Sequence, residues 1–178
     1  MESNVFAVDR VMRAVRTYLQ MTDPSQLMGE PAVPSGATLE CERSCPPSLW
    51  RSLYTEVGRD YHWVDRLGWS DDDIARYLAD PATELWILRE AGEPAGYFEL
   101  RRDEDEGIEI AYFGLLPAFT GRGLGRYLLT EAVSRAWDLG ARRVWVHTSS
   151  LDHSSALPNY LARGFSVWKQ DVYEVTGS

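Results

Sequence analysis

The segment Pro117-Ala118-Phe119-Thr120-Gly121-Arg122-Gly123-Leu124-Gly125-Arg126, which leads directly into Tyr127-Leu-Leu-Thr-Glu-Ala-Val133, decides the fold of this chain. Its three glycines stand at alternate positions, so the backbone there carries few side chains. The apolar run 108–116 before it predicts a strand, and the apolar stripe after it predicts an amphipathic helix. Backbone N–H groups that converge at a bare helix N-terminus bind phosphates. The segment therefore predicts a phosphate-binding strand–turn–helix unit.

Two familiar phosphate loops do not fit the glycine spacing. A dinucleotide fingerprint requires G-x-G-x-x-G, but Leu128 stands where the third glycine belongs. A Walker loop requires a Gly-Lys pair, and the sequence contains none. The glycines by themselves would also fit a plain helix cap. A second pattern is therefore needed to decide between a phosphate-binding turn and such a cap.

The second pattern is the downstream segment Asp152-His-Ser-Ser-Ala156-Leu-Pro-Asn-Tyr160-Leu-Ala-Arg-Gly164-Phe165. With it the chain resembles the GNAT superfamily of acyl-CoA-dependent N-acyltransferases, whose loop has the form Q/R-x-x-G-x-G/A and whose later helix ends in Y-x-x-x-G-F. The resemblance covers about residues 37 to 176. It departs from the family pattern at Thr120, which stands at the Q/R position.

The resemblance implies acetyl-CoA as cosubstrate and assigns residues to it. The loop amides would hold the pyrophosphate, the strand end would pair with the pantetheine arm, and His153 stands where many relatives carry a cofactor-contacting asparagine. The expected cofactor-binding residues are Leu115, Leu116, Gly121, Arg122, Gly123, Leu124, Gly125, Arg126 and His153. Tyr160 would protonate the departing thiolate, although it would also suit the core as a packing tyrosine.

Attack of an amine on a thioester needs a base, because an ammonium has no free lone pair. Glu109 falls where several family members keep a glutamate base, and alternation puts it on one strand face with Ala111 and Phe113. Glu99 on the adjoining predicted strand is the alternative base, and the two would form an acidic pair if strand pairing set them side by side. His147 is a further candidate.

The segment 60–69 packs aromatic and acidic side chains into the connection that lines the acceptor site in this family. The expected substrate-binding residues are Tyr61, Trp63, Trp69 and Tyr112. Aromatic faces beside carboxylates suit a small cationic or aromatic amine, transferred directly in a ternary complex. A non-catalytic acyl-CoA sensor, a protein-lysine or N-terminal acetyltransferase, and a toxin that acylates charged tRNA remain alternatives.

Composition limits the partners that we expect. With 18 basic and 27 acidic residues the formal charge is −9, which disfavours nucleic acid and anionic membranes. No apolar run is long enough to span a bilayer, and the first residues lack the basic start of a signal peptide, so we expect a cytoplasmic protein. Two cysteines and three histidines without ligand spacing predict no metal site. A homodimer is left open.

The order of predicted elements gives an α/β (α+β) domain with a mostly antiparallel mixed sheet flanked by helices, as in the GNAT fold. Residues 37–178 would form this domain. Residues 1–36 would form an N-terminal extension, since the apolar stripe over 4–20 predicts an extra helix. At the other end, residues 165–169 and 171–175 predict a final pair of strands.

Overall fold

The computed structural model describes residues 10–30 and 32–177. In chain order the structure has two strands, two helices, three strands, a helix, a strand, a helix and a last strand. Their bounds are β1 Arg10–Met21, β2 Ala37–Cys41, α1 Pro47–Gly58, α2 Asp71–Ala79, β3 Thr83–Glu90, β4 Glu93–Arg102, β5 Gly107–Leu115, α3 Leu124–Asp138, β6 Arg143–Ser149, α4 Ala156–Ala162 and β7 Ser166–Gly177.

One sheet of seven strands carries the fold, in the order β2-β3-β4-β5-β6-β1-β7. All neighbours pair antiparallel except β5 and β6, which are parallel. The expected mostly antiparallel mixed sheet with flanking helices is thereby confirmed. Hairpins join β3 to β4 and β4 to β5, as the turn segments Ala91-Gly-Glu93 and Asp103-Glu-Asp-Glu106 predict, and Ser70 caps α2 through Asp73.

The expected N-terminal helix is wrong over the residues that the structure describes. β1 lies inside the sheet between β6 and β7, so this segment is not a helical extension there. The first part of the predicted helix, residues 4–9, lies outside the described residues. The apolar stripe resembled a helix, but Val15, Leu19 and Met21 also alternate with Arg16 and Gln20. That period of two is the strand signal.

The last strand is also simpler than expected. β7 is continuous, with one irregularity opposite Tyr18 and Leu19 rather than a break into two strands. Together β1 and β7 run side by side over eleven paired positions. These two long strands extend the sheet beyond β6, which the sequence did not predict.

Two apolar clusters fill the two faces of the sheet. The larger joins α3 and α4 to the sheet through buried residues such as Leu128, Ala132 and Val146. The smaller joins α1 and α2 to the other face through Trp50, Tyr54 and neighbouring strand residues. None of the helices in the described ranges is long and apolar enough to cross a membrane.

Candidate functional site

The parallel strands β5 and β6 separate after a short contact. They pair only from Gly107 to Glu109 on β5, opposite Arg143 to Trp145 on β6. Beyond Glu109 the two strands diverge, and β5 loses its partner on that side. A cavity of about 520 Å³ opens at this divergence and is lined by both strands, the glycine turn, α4 and the α1–α2 connection.

A bulge in β5 sets which side chains face this cavity. Glu99 pairs with Tyr112 and Leu100 with Ile110, so Ala111 is the extra residue. Tyr112 therefore packs with the α1–α2 cluster, while Phe113 packs with the α3 cluster. The expected alternation, with Phe113 on the face of Glu109 and Tyr112 on the opposite face, is wrong because a bulge reverses the pattern beyond it.

The glycine turn presents unused backbone donors to the cavity. Gly121 and Gly123 have φ of 76° and 80°, a left-handed conformation that glycine adopts without strain. Gly123 caps α3 with no side-chain hydrogen bond. Within the described part of the chain, none of the N–H groups of residues 121–126 donates to a protein acceptor. The turn therefore has the free donors that an anion requires.

Two arginines, Arg126 and Arg163, lie beside this turn, and neither has a carboxylate partner among the described residues. Arg163 is 8% exposed, and its buried Nε has no hydrogen bond. Burial and the neighbouring charge of Arg126 lower the pKa of Arg163. Both side chains line the cavity. A buried, unpaired guanidinium is costly, and an anion in the cavity would offset that cost.

Sequence reasoning missed Arg163, although one signal was available. It is the charged residue inside the Tyr160–Phe165 motif, directly before a glycine whose conformation fixes the helix end. Gly164 has φ of 103°, and a Cβ there would lie 1.9 Å from the Gln26 carbonyl oxygen. That close contact holds the end of α4 against the 24–28 segment, where Met28 N–H donates to the Arg163 carbonyl.

Helix α4 brings Tyr160 to the cavity. Pro158 lies in the first turn of α4, where no backbone N–H is needed, so it neither bends nor delays the helix. Tyr160 is 5% exposed and packs against the rings of Phe113 and Phe165. Burial raises the pKa of its phenol, and the O–H therefore stays protonated at neutral pH.

His153 lies at the start of the segment that leads into α4. Its Nδ1 accepts a hydrogen bond from Ser155 N–H at 3.0 Å, and its ring lies edge-on to Tyr61. The ring also lines the cavity. This bond reaches the residue before α4 and does not cap the helix, whose N-cap Ser155 makes no side-chain capping hydrogen bond; the cofactor contact stays a prediction.

Glu109 and His147 form a pair at the point where β5 and β6 diverge. His147 Nε2 lies 3.8 Å from Glu109 Oε1, at ion-pair distance but beyond hydrogen-bond range. Burial raises the pKa of Glu109. Burial and the nearby charge of Arg16 lower the pKa of His147 below its usual value. His147 lines the cavity, whereas Glu109 lies behind it.

Glu99 has a different environment. It is fully buried and accepts hydrogen bonds from Trp50 Nε1 at 2.7 Å, Arg66 Nη1 at 2.7 Å and the Tyr77 hydroxyl at 2.9 Å. It does not line the cavity. Strand register places Glu99 opposite Tyr112 and Glu109 opposite Arg101, so the expected side-by-side acidic pair does not form.

Three of the four expected acceptor aromatics do line the cavity. Trp63 lies 4.9 Å edge-on from Tyr112, and its Nε1 donates to Asp152 Oδ1 at 3.4 Å; Tyr61 stands beside them. Trp69 instead stacks on Trp50 between α1 and α2 and is not brought to the cavity.

The glycine end of the cavity includes only part of the expected cofactor set. Leu115, Gly121, Gly123, Gly125, Arg126 and His153 line it. Leu116, Arg122 and Leu124 do not: Leu116 packs on the α1–α2 cluster, Arg122 pairs with Glu90, and Leu124 is buried at the start of α3. The cavity is also lined by Arg16 from β1 and Tyr173 from β7. Neither residue was identified from the sequence alone. Arg16 lies in the stretch that the sequence predicts as a helix.

The chain is similar to known acyl-transferring proteins. The family model described as "Acetyltransferase (GNAT) family" matches residues 50–165. An uncharacterized N-acetyltransferase of Mycobacterium tuberculosis is 32% identical over 94 residues, which are 53% of this chain and 60% of that protein. A mycothiol acetyltransferase of Corynebacterium efficiens is 26% identical over 174 residues, covering 90% of this chain and 57% of that protein.

Solved structures show the same fold. A GCN5-related N-acetyltransferase from Sphaerobacter thermophilus superposes with a TM-score of 0.70 at 18% identity, over 94% of this chain and 53% of that one. The chain thus spans little more than half the length of the relatives that it matches over most of its own length.

Proposed function

The chain belongs to the acetyltransferase (GNAT) family, and from that premise we propose that it transfers an acetyl group from acetyl-CoA to a primary amine. One observation carries the proposal. A single cavity joins the free donors of the glycine turn to Tyr160 and to His147, which lies 3.8 Å from Glu109 outside the lining. Phosphate binding, leaving-group protonation and amine deprotonation would thus take place along one continuous path.

The residues present fit acyl-CoA at the glycine end. The free N–H groups of 121–126 and the cations Arg126 and Arg163 would hold the pyrophosphate. The edge of β5 beyond Glu109 lacks a strand partner on the β6 side, so its backbone from 110 to 115 is available to pair with the pantetheine amides. Acetyl-CoA when bound would supply the thioester carbonyl that the amine attacks.

The protein supplies two proton positions for this reaction. His147, neutral at pH 7 because its pKa is lowered, takes a proton from the amine, and the Glu109 carboxylate 3.8 Å away would stabilise the resulting imidazolium. Tyr160 gives its phenolic proton to the departing thiolate. Both cysteines, Cys41 and Cys45, lie outside the cavity lining, which favours direct transfer in a ternary complex over an acyl-enzyme.

Acetyl-CoA should stabilise the fold, and this experiment tests the proposal. A ligand at a hundredfold excess over its Kd raises the free energy of unfolding by about 2.7 kcal/mol. Thermal unfolding would be followed with acetyl-CoA, free CoA, NAD and ATP. We expect stabilisation by the two CoA species only, and Arg126→Gln should weaken acetyl-CoA binding about tenfold because one charged hydrogen bond to phosphate is lost.

The matched control is Arg142→Gln, a surface arginine paired with Glu106 far from the cavity lining. It should leave acetyl-CoA affinity unchanged. Stabilisation by NAD or ATP without any effect of CoA would contradict the proposal. Stabilisation by acetyl-CoA with no acetylated product from any amine would instead favour the non-catalytic sensor.

The pH dependence of kcat should show the state of His147. A base works only when it is unprotonated, so kcat falls as pH drops through its pKa. Because burial and Arg16 lower the pKa of His147, we expect the acidic limb to lie below pH ~6.5, the usual histidine value. Glu109→Gln removes the anion that favours the imidazolium, so the limb should move to still lower pH and the plateau should fall about tenfold or more.

His147→Gln should abolish this limb, and Glu104→Gln in the exposed β4–β5 turn should leave the whole profile unchanged. An acidic limb at the same pH in the His147→Gln enzyme would exclude His147 as the group that titrates. The preference for a small cationic or aromatic amine and the cytoplasmic location stay predictions from the sequence.

A further inference from the structure

The part of the cavity around His147, the acceptor end, carries a cation that the reaction itself does not require. Arg16 lies on β1 and faces the cavity, two strands beyond the divergence of β5 and β6 in the sheet order β5-β6-β1. Its guanidinium carbon sits 4.4 Å from the centre of the Tyr173 ring. The Tyr173 hydroxyl in turn lies 2.6 Å from Ser149 Oγ. The arginine is therefore positioned by stacking on an aromatic ring that is itself tied to β6.

Arg16 also differs from the buried arginine in the neighbouring cluster. Arg66 donates to the Glu99 carboxylate at 2.7 Å. Across residues 10–30 and 32–177, by contrast, no carboxylate oxygen lies within 4.0 Å of the Arg16 guanidinium. Its neighbours include the hydroxyl of Tyr18 and the ring of Tyr173, so a carboxylate in the cavity would meet no competing carboxylate at this guanidinium.

A carboxylate lines the same end of the cavity. Asp65, in the α1–α2 connection, is exposed and has neither a hydrogen bond nor an ion pair among the described residues. Asp65 is near enough for its charge to act on both Arg16 and His147. Asp152, the other acidic residue of the lining, is already occupied by Thr148 Oγ1 and Ser149 N–H.

The acceptor end therefore offers one unpaired cation and one unpaired anion. A cationic amine alone would satisfy Asp65 and would be repelled by Arg16. An aromatic amine alone would leave Arg16 without a partner after water is displaced, which is costly. The planar guanidinium matches a carboxylate through two parallel hydrogen bonds, and the carboxylate of Asp65 suits an ammonium.

We propose that the acceptor is an amine that also carries a carboxylate, of the amino-acid type, and that Arg16 binds this carboxylate while the amine faces His147. The inference rests on the proposed acetyl transfer and narrows the acceptor expected from the sequence. Arg16 is then the residue that determines specificity, because it discriminates between amines that differ only in the carboxylate.

The test compares amines in matched pairs. Phenylalanine with phenethylamine, tryptophan with tryptamine, and lysine with cadaverine differ by one carboxylate each. CoA release would give kcat/KM for each member with acetyl-CoA. In the natural protein we expect the carboxylated member of at least one pair to be favoured tenfold or more. In Arg16→Gln this ratio should fall toward one, and Arg16→Lys should keep an intermediate ratio, since a lysine retains charge but not the planar pair of donors.

Arg13→Gln is the matched control. Arg13 lies on the same strand, is exposed and lies 4.0 Å from Glu174, and it is not part of the cavity lining, so the ratio should not change. Asp65→Asn should raise KM for both members of a pair by a similar factor, because each carries the ammonium. A ratio of one or less in the natural protein, or a ratio that survives Arg16→Gln, overturns the inference while acetyl transfer stands.

A binding measurement makes the test independent of turnover. Free CoA would fill the donor site, and thermal stabilisation by each amine would then be measured in the dead-end complex. Stabilisation by the carboxylated members alone, lost in Arg16→Gln, supports the inference. If no member of any pair binds and none is acetylated, the inference is overturned. If CoA itself does not stabilise the protein, it is the proposed function that fails.

Discussion

Tyr160→Phe should lower kcat about a hundredfold and leave stability almost unchanged. Positioned general acids contribute roughly 10²–10⁴-fold to rate, and the phenol of Tyr160 is protonated at neutral pH because burial raises its pKa. The hydroxyl has no hydrogen-bond partner among the described residues, so its removal breaks no internal contact. The ring would keep its packing against Phe113 and Phe165. Steady-state kinetics with acetyl-CoA and a turned-over amine, together with urea unfolding, measure both effects.

Tyr127→Phe provides the matched control for this loss. Tyr127 is 8% exposed on α3 and does not line the cavity, so kcat should stay within about twofold of the natural value. The KM for acetyl-CoA should change little in Tyr160→Phe, since a proton given to the leaving thiolate acts in the transition state. A kcat within threefold of the natural enzyme would show that Tyr160 only packs the helix against the sheet.

The parts of the fold that follow local rules could be predicted from the sequence. The glycine turn, the helix after it and the two hairpins depend on backbone conformation and short-range periodicity, and each was found where the pattern predicts it. β1 could not be assigned correctly, because Val11, Val15 and Leu19 fit a helical stripe as well as they fit alternation. Its pairing with β6 and β7, more than 120 residues away, decides the outcome.

The same limit explains what the sequence missed in the site. Arg16 reaches the cavity only because β1 is an inner strand, and Arg163 becomes notable only once its Nε proves buried and unpaired. The bulge at Ala111 is invisible to a pattern of alternation, yet it turns Tyr112 toward the acceptor side. Glycines and tyrosines of a motif can be recognised one by one, whereas the partners of a charge require the whole fold.

Glu99→Gln should destabilise the protein by about 3–5 kcal/mol, the usual cost of leaving a buried charge without its partner. The Glu99 carboxylate accepts three hydrogen bonds in a fully buried position, and one of them neutralises Arg66. Arg66 also lies over the rings of Tyr112 and Tyr77 at 4.2 and 4.3 Å. Urea unfolding at pH 7 measures the loss. Glu106→Gln, whose carboxylate pairs with Arg142 on the surface, should cost less than about 1 kcal/mol.

The Glu99→Gln variant also tests Glu99 as the alternative base that the sequence offered. Replacing a catalytic base by the isosteric amide lowers kcat and leaves stability unchanged. Replacing a positioning residue lowers stability first. The double variant Glu99→Met/Arg66→Met removes both buried charges, so it should recover part of the stability lost in Glu99→Gln. Stability within 1 kcal/mol of the natural protein, combined with a hundredfold loss of kcat, would make Glu99 the base. The three hydrogen bonds that it already accepts argue instead that Glu99 fixes Trp50 and Arg66, and through them the Tyr112 wall of the acceptor site.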